Sequence, residues 1–152
     1  MYITFLMSYF VALRMMDKGA LWIMFVLILA IIGDIAALYV GKYFGKHKLA
    51  PLVSPGKTVE GLAGLVLGST VACLIFGYYL LPEIPLTHVA IIAFIGSIIG
   101  QLGDICESAI KRTYGLKDAS SILPGHGGIL DRLDCLLFIV PFVYYYRIFV
   151  IN

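Results

Sequence analysis

The chain has 152 residues, of which 61% are hydrophobic and only 13% charged, with a formal net charge of +2. Together with a mean hydropathy of +0.99, this excludes a soluble domain, which needs a polar coat that so few charges cannot supply. The charge surplus is also too small to imply a nucleic-acid partner. Lipid must therefore be the solvent for much of the surface.

Taken in chain order, the first apolar stretch is Tyr2 to Met16, short for a span and carrying Arg14 near its end. It reads as a tilted span or as the stump of a longer one. Four further stretches reach the length of about 20 apolar residues that a helix needs to cross the hydrocarbon core: Ala20 to Gly41, Gly61 to Leu81, His88 to Ile110 and Leu133 to Ile151. The expectation is an all-α fold, a polytopic transmembrane bundle of about five spans, forming one membrane-embedded domain over residues 1–152. There is no repeat, no low-complexity linker and no basic n-region of a signal peptide. Cys73, Cys106 and Cys135 sit in or beside apolar runs without CxxC spacing and read as packing residues.

Two long connections separate these spans. Lys42 to Lys57 carries Lys42, Lys46, Lys48 and Lys57; Lys111 to Arg132 carries Lys111, Arg112, Lys117 and Arg132. Eight of the eleven basic residues are thus in these two loops, while the short turn Pro82 to Thr87 has Glu83 and no base. The positive-inside rule puts both loops in the cytoplasm, against which Arg14 and Lys18 fall on the outer side. Both loops are rich in glycine and proline, which let backbone approach a ligand closely. Ser54-Pro55 reads as a helix start, with serine as N-cap and proline at the first helical position.

Carboxylates gather near the same face. Asp34 lies within a span, eight residues before Lys42 and so about 12 Å from its cytoplasmic end. Asp104 and Glu107 stand three apart near the end of another span, and Lys111 can share their face or pair with Glu107. Asp131 and Asp134 stand three apart where the last helix enters. A charge at membrane depth costs about 2.5–3.5 kcal/mol even on lenient scales, so these acids should face inward, pair with bases or bind cations. Clustered carboxylates suit magnesium, which is commonly shared with substrate phosphates, and two such ions can serve both attacking and leaving oxygens. Lysines, arginines and glycine amides would neutralise phosphate charge. From the residues alone this is metal-dependent phosphoryl or nucleotidyl transfer at a membrane surface. His47 reads as a solvated loop residue and His88 as an outer-interface residue without a role; His126, between glycines, reads as part of a tight loop against a ligand.

The stretch from Ser108 through Lys111-Arg112, Lys117-Asp118 and His126-Gly127-Gly128 to Asp131-Arg132-Leu133-Asp134 closely resembles the signature of phosphatidate cytidylyltransferases, also called CDP-diacylglycerol synthases. Ser54-Pro55-Gly56-Lys57-Thr58 with Glu60-Gly61, and Gly103-Asp104 with Glu107-Ser108, resemble that family's other recurring segments. The resemblance implies cytidylyl transfer from CTP to phosphatidate at the cytoplasmic face of a bacterial-type inner membrane, with Mg2+ as one ion or two and with a monovalent cation left open. It implies Asp104, Asp131, Asp134 and Asp34 as metal ligands, and Asp131, Asp104, Lys111 and Arg132 as catalytic residues. Ser54, Lys57, Thr58, Arg112, Lys117, Asp118, His126, Gly127 and Gly128 would bind substrate. The partners so implied are CTP, phosphatidate and the bilayer, with a homodimer allowed. Members of this family usually carry further helices before the segment resembling Tyr2 to Gly41, so the resemblance implies that the sequence covers the later part of the family's usual length, as a fragment, a mis-called start or a short form. Gly33-Asp34-Ile35-Ala36 departs from the small polar residue and glycine that often follow the aspartate.

Two other readings are open to the sequence. An ion-coupled transporter predicts acids distributed through the membrane depth, whereas here they gather near one face. A truncated or inactive family member would bind substrate or a partner only.

Overall fold

The computed structural model describes residues 2–51, 53–113 and 130–151, with side chains for 5–51, 53–113 and 135–151. Five helices form a bundle: α1 (Tyr2–Met15), α2 (Gly19–Phe44), α3 (Val59–Leu80), α4 (Leu86–Thr113) and α5 (Leu130–Tyr146), the last continued by a π-helical turn over Arg147–Ile151. Three of them, α2, α3 and α4, are long and apolar enough to cross a membrane, and α1 and α5 are shorter. The chain is an all-α polytopic membrane protein. Large apolar side chains such as Ile35, Leu67, Val71, Ile75 and Phe94 stand exposed on these helices, as they must where lipid is the solvent.

Close approach of α2 and α3 depends on glycines. A Cβ on Gly64 would lie 2.6 Å from Val40 Cγ2, and one on Gly68 would lie 2.5 Å from Ala36 Cβ. Neither distance is sterically possible, so the missing side chains set the separation of the two helices. Small residues three and four apart are the usual device in lipid, where apolar burial gives helices little reason to associate. Gly100 does the same for α4 against α5, where a Cβ would meet Ile139 at 2.6 Å.

The interior is divided lengthwise. Towards the α1–α2 and α3–α4 turns it is filled by Leu13, Trp22, Phe25, Phe76, Ile92 and Val143, all buried. At that end Lys18 pairs with Glu83 at 2.5 Å, so one of the two bases that offend the charge rule is neutralised by the acid of the short turn. Arg147 donates to the Asp17 carbonyl at 2.6 Å and lies over the Trp22 ring. His88, expected to have no role, meets the Tyr146 hydroxyl at 3.1 Å.

The opposite end carries an element that the sequence reading did not include. Lys48–Ala50 (β1) and Ser54–Thr58 (β2) pair antiparallel as a hairpin, with Lys48 opposite Thr58 and Ala50 opposite Ser54. The expected helix start at Ser54-Pro55 is therefore corrected: those residues are extended, and α3 begins at Val59 with Thr58 as N-cap. Thr58 Oγ1 accepts from the Gly61 amide at 3.0 Å, which a serine four residues earlier cannot do. Glu60 then accepts from the Lys46 amide at 3.1 Å and from His47 Nδ1 at 2.7 Å, fastening the loop before β1 to the first turn of α3. His47 is thus exposed but held, not simply solvated.

Two substitutions test this packing. Gly68→Val should lower the melting temperature in detergent by the equivalent of about 1–3 kcal/mol through overpacking, and an unchanged melt would mean that α2 and α3 are not in this contact. Thr58→Val keeps the shape but removes the cap, and should cost about 1 kcal/mol by the same measurement.

Candidate active site

Four elements converge beneath the hairpin. Asp34, Ala37, Gly41 and Lys42 of α2, Gly56 and Lys57 of β2, Thr58 and Gly61 at the start of α3, and Gln101 and Asp104 of α4 line a cleft of about 420 Å³. Below it a narrow crevice of about 10 Å³ continues into the bundle, lined by Asp34, Ser97, Gln101, Asp104 and Cys135 among others. Asp34 and Asp104 border both spaces. Two acids from different helices, expected at similar depth, do share one site.

The positions follow from local sequence. On α4, Ser97, Gln101, Asp104, Ser108 and Lys111 recur at spacings of four and three, a single polar stripe along an otherwise apolar helix. The glycines beside them, Gly96, Gly100 and Gly103, are buried, so the helix turns small residues to its neighbours, and Gln101 and Asp104 line the cleft. Lys57 reaches across from β2 to form an ion pair with Asp104 Oδ2, and Ser108 Oγ approaches the other oxygen, Oδ1, at 3.5 Å. Glu107 pairs with Lys111 at 2.8 Å, both largely enclosed, as their spacing suggested. Arg112 Nε donates to the Val53 carbonyl at 3.3 Å. The hairpin is thereby tied to α4 at two points and to α3 through Glu60.

Of the residues expected to act on a ligand, Asp34, Lys57, Thr58 and Asp104 line the cleft. Thr58 is buried, with its hydroxyl committed to the α3 cap. Lys111 and Arg112 lie on the last turn of α4, held by Glu107 and by the hairpin. Ser54 opens β2 opposite Ala50, away from the cleft lining. Asp131, Arg132 and Asp134 lie within the first five residues of α5, and the next residue, Cys135, borders the crevice; the side chains of those three are outside the described residues. Lys117, Asp118, His126, Gly127 and Gly128 lie outside the described residues altogether. Gln101 and Lys42 line the cleft without having been singled out. For Gln101 the signal was present, since it falls in register with Asp104 and Lys111.

Among the described residues no group of three or more His, Cys, Asp or Glu is placed to hold a metal ion. Two carboxylates bordering one cleft nevertheless fit magnesium, which typically takes one or two from the protein and the rest of its oxygens from water and substrate phosphates. The Lys57 ammonium supplies the positive charge beside Asp104. Lys42 and Lys57 on the cleft wall give anions a reason to enter it.

The sequence matches the cytidylyltransferase family over residues 1–150. It is 44% identical over 145 residues to the phosphatidate cytidylyltransferase of Bacillus subtilis (strain 168), covering 95% of this chain and 54% of that one. To the phosphatidate cytidylyltransferase of Staphylococcus saprophyticus it is 43% identical over 125 residues, or 82% of this chain and 48% of the relative. The uncharacterized protein YnbB of Escherichia coli (strain K12) is 47% identical over 128 residues, 84% of this chain and 43% of its own. This chain therefore spans about half the length of the curated relatives it matches. With the match running through the hairpin, the cleft and both acid-bearing spans, the chain belongs to the cytidylyltransferase family.

Proposed function

We propose that the protein transfers the cytidylyl group of CTP to phosphatidate, giving CDP-diacylglycerol and pyrophosphate. The observation that carries this reading is the cleft that Asp34 and Asp104 line together with Lys42 and Lys57 at one end of an apolar bundle, in a chain whose residues 1–150 match this family. A site at the lipid boundary admits a lipid phosphate from the bilayer and a nucleotide from water. An oxygen of the phosphatidate phosphate attacks the α-phosphorus of CTP. The bond from that phosphorus to the bridging oxygen breaks, and pyrophosphate leaves with the electron pair. No protein nucleophile is needed, and positioning with charge neutralisation supplies the rate.

Lys57 and Lys42 draw the phosphates into the cleft, and Lys57 transfers its charge from Asp104 to a phosphate when substrate arrives. Arg112 and Lys111 on the last turn of α4 and Ser54 on the hairpin, outside the cleft lining, are further contacts for substrate in this reading. Asp34 and Asp104, joined by Asp131 and Asp134 from α5, would hold Mg2+, which would supply Lewis-acid stabilisation of phosphate charge. Arg132 stabilises the developing charge, and Lys117, Asp118, His126, Gly127 and Gly128 shape the nucleotide end. The eight bases of the two long loops support a cytoplasmic position for this face, which in this reading borders a bacterial-type inner membrane.

The direct test is CTP-dependent formation of CDP-diacylglycerol by the purified chain in phosphatidate-containing vesicles. Asp104→Asn and Asp34→Asn should each lower turnover by about a hundredfold or more; full activity in either removes that acid from the site. EDTA should abolish turnover and added Mg2+ restore it, with Mg2+ raising the melting temperature of the wild type but not of Asp104→Asn. Undiminished turnover in chelator would overturn the metal assignment.

A further inference from the structure

Gln101 stands on α4 one turn deeper in the bundle than Asp104, about 4.5 Å along the axis at the helical rise. It borders both the open cleft and the crevice below, beside Asp34 and Asp104. Its Nε2 is enclosed and has no hydrogen-bond partner among the described residues. Ser97, one turn deeper again, is differently placed: its hydroxyl donates to the Phe94 carbonyl of its own helix at 2.8 Å. Gln101 Nε2 makes no such bond to its own helix.

A buried donor without an acceptor destabilises the protein that carries it. Such a group in a cleft is explained when the acceptor arrives with a ligand. The carboxylates of Asp34 and Asp104 border the same spaces, yet neither takes a hydrogen from this amide. The ammonium groups of Lys42 and Lys57 on the wall select an anionic ligand. A carboxamide at this depth can bond an anionic oxygen without adding a charge that would itself need a counter-ion.

We propose that the Gln101 carboxamide donates a hydrogen bond to a phosphoryl oxygen of the substrate seated in the cleft, and so is a binding residue for that phosphate. The inference rests on the cytidylyl-transfer reading and adds to it a contact at the inner end of the site. The phosphoryl oxygen belongs either to the lipid phosphate or to the nucleotide.

Gln101→Met keeps the length of the side chain and removes the donor; Gln101→Asn keeps the donor and withdraws it by one methylene. The Met variant, without substrate, should melt at or above the wild-type temperature, because an unsatisfied polar group has been removed. Its KM for one substrate should rise about tenfold, and the Asn variant should shift the same KM in the same direction. A rise confined to phosphatidate at saturating CTP assigns the lipid phosphate, and a rise confined to CTP assigns the nucleotide. Unchanged KM for both substrates overturns the proposal. So does a lowered melting temperature, which would show that the amide serves the fold; should the Met variant not fold, the Asn variant decides on the same readings. Absence of product from the wild type itself would instead refute cytidylyl transfer, and equilibrium binding of CTP and of phosphatidate vesicles to wild type and Gln101→Met would then decide on Gln101: weaker binding of either ligand to the variant sustains the contact, equal binding ends it.

Discussion

An aspartate within a membrane helix must be given a cation, and Asp104 is given Lys57. That ion pair bridges 47 positions of sequence, and the hairpin exists in the place where it makes the pair possible. The lysine cannot come from a neighbouring turn of α4, because the base at i+7, Lys111, is held by Glu107. It has to be carried in on a separate element, and a flexible loop would lose too much of the attraction in ordering itself. Pairing β1 with β2, capping α3 through Thr58 and fastening Lys46 and His47 to Glu60 fix the path of the chain before and after Lys57. The electrostatics of the cleft and the local structure above it are one problem with one solution.

The second acid depends on packing instead. Asp34 is brought to the cleft wall because α2 runs close against α3, and it can do so because Gly64 and Gly68 offer no side chains to Val40 and Ala36. Larger residues there would push α2 outward and carry Asp34 with it. Gly100 plays the matching part for α4 and α5, which keeps Cys135 and Ile139 of α5 beside the crevice. Glycines without apparent chemistry therefore govern the spacing of the residues that have it.

Much of this was legible in the sequence, for reasons that also mark the boundary of legibility. The three long helices follow from runs of apolar residues, and they extend past those runs at Lys42–Phe44 and at Lys111–Thr113 because long basic side chains can continue a helix into the interface. Glu107–Lys111 is a local pair at helical spacing and could be read directly. Ser54-Pro55 was misread because a serine before a proline fits an N-cap, while the deciding interaction was the hydroxyl of Thr58 reaching the Gly61 amide. Pairing of Lys57 with Asp104, and of Glu60 with His47, depends on how separate elements fold back on one another, which spacing does not encode. Gln101 lies between: its register with Asp104 was visible, but its enclosure was not.

The lengthwise division of the bundle also bears on permeability. Below Asp34 and Gln101 the crevice has room for about one water molecule, and beyond it Phe25, Leu29, Ile92 and Val140 are buried against one another. Among the described residues the cleft is thus closed at its inner end. Among the described residues, an ion held in the cleft therefore meets no polar path onward to the α1–α2 end of the bundle.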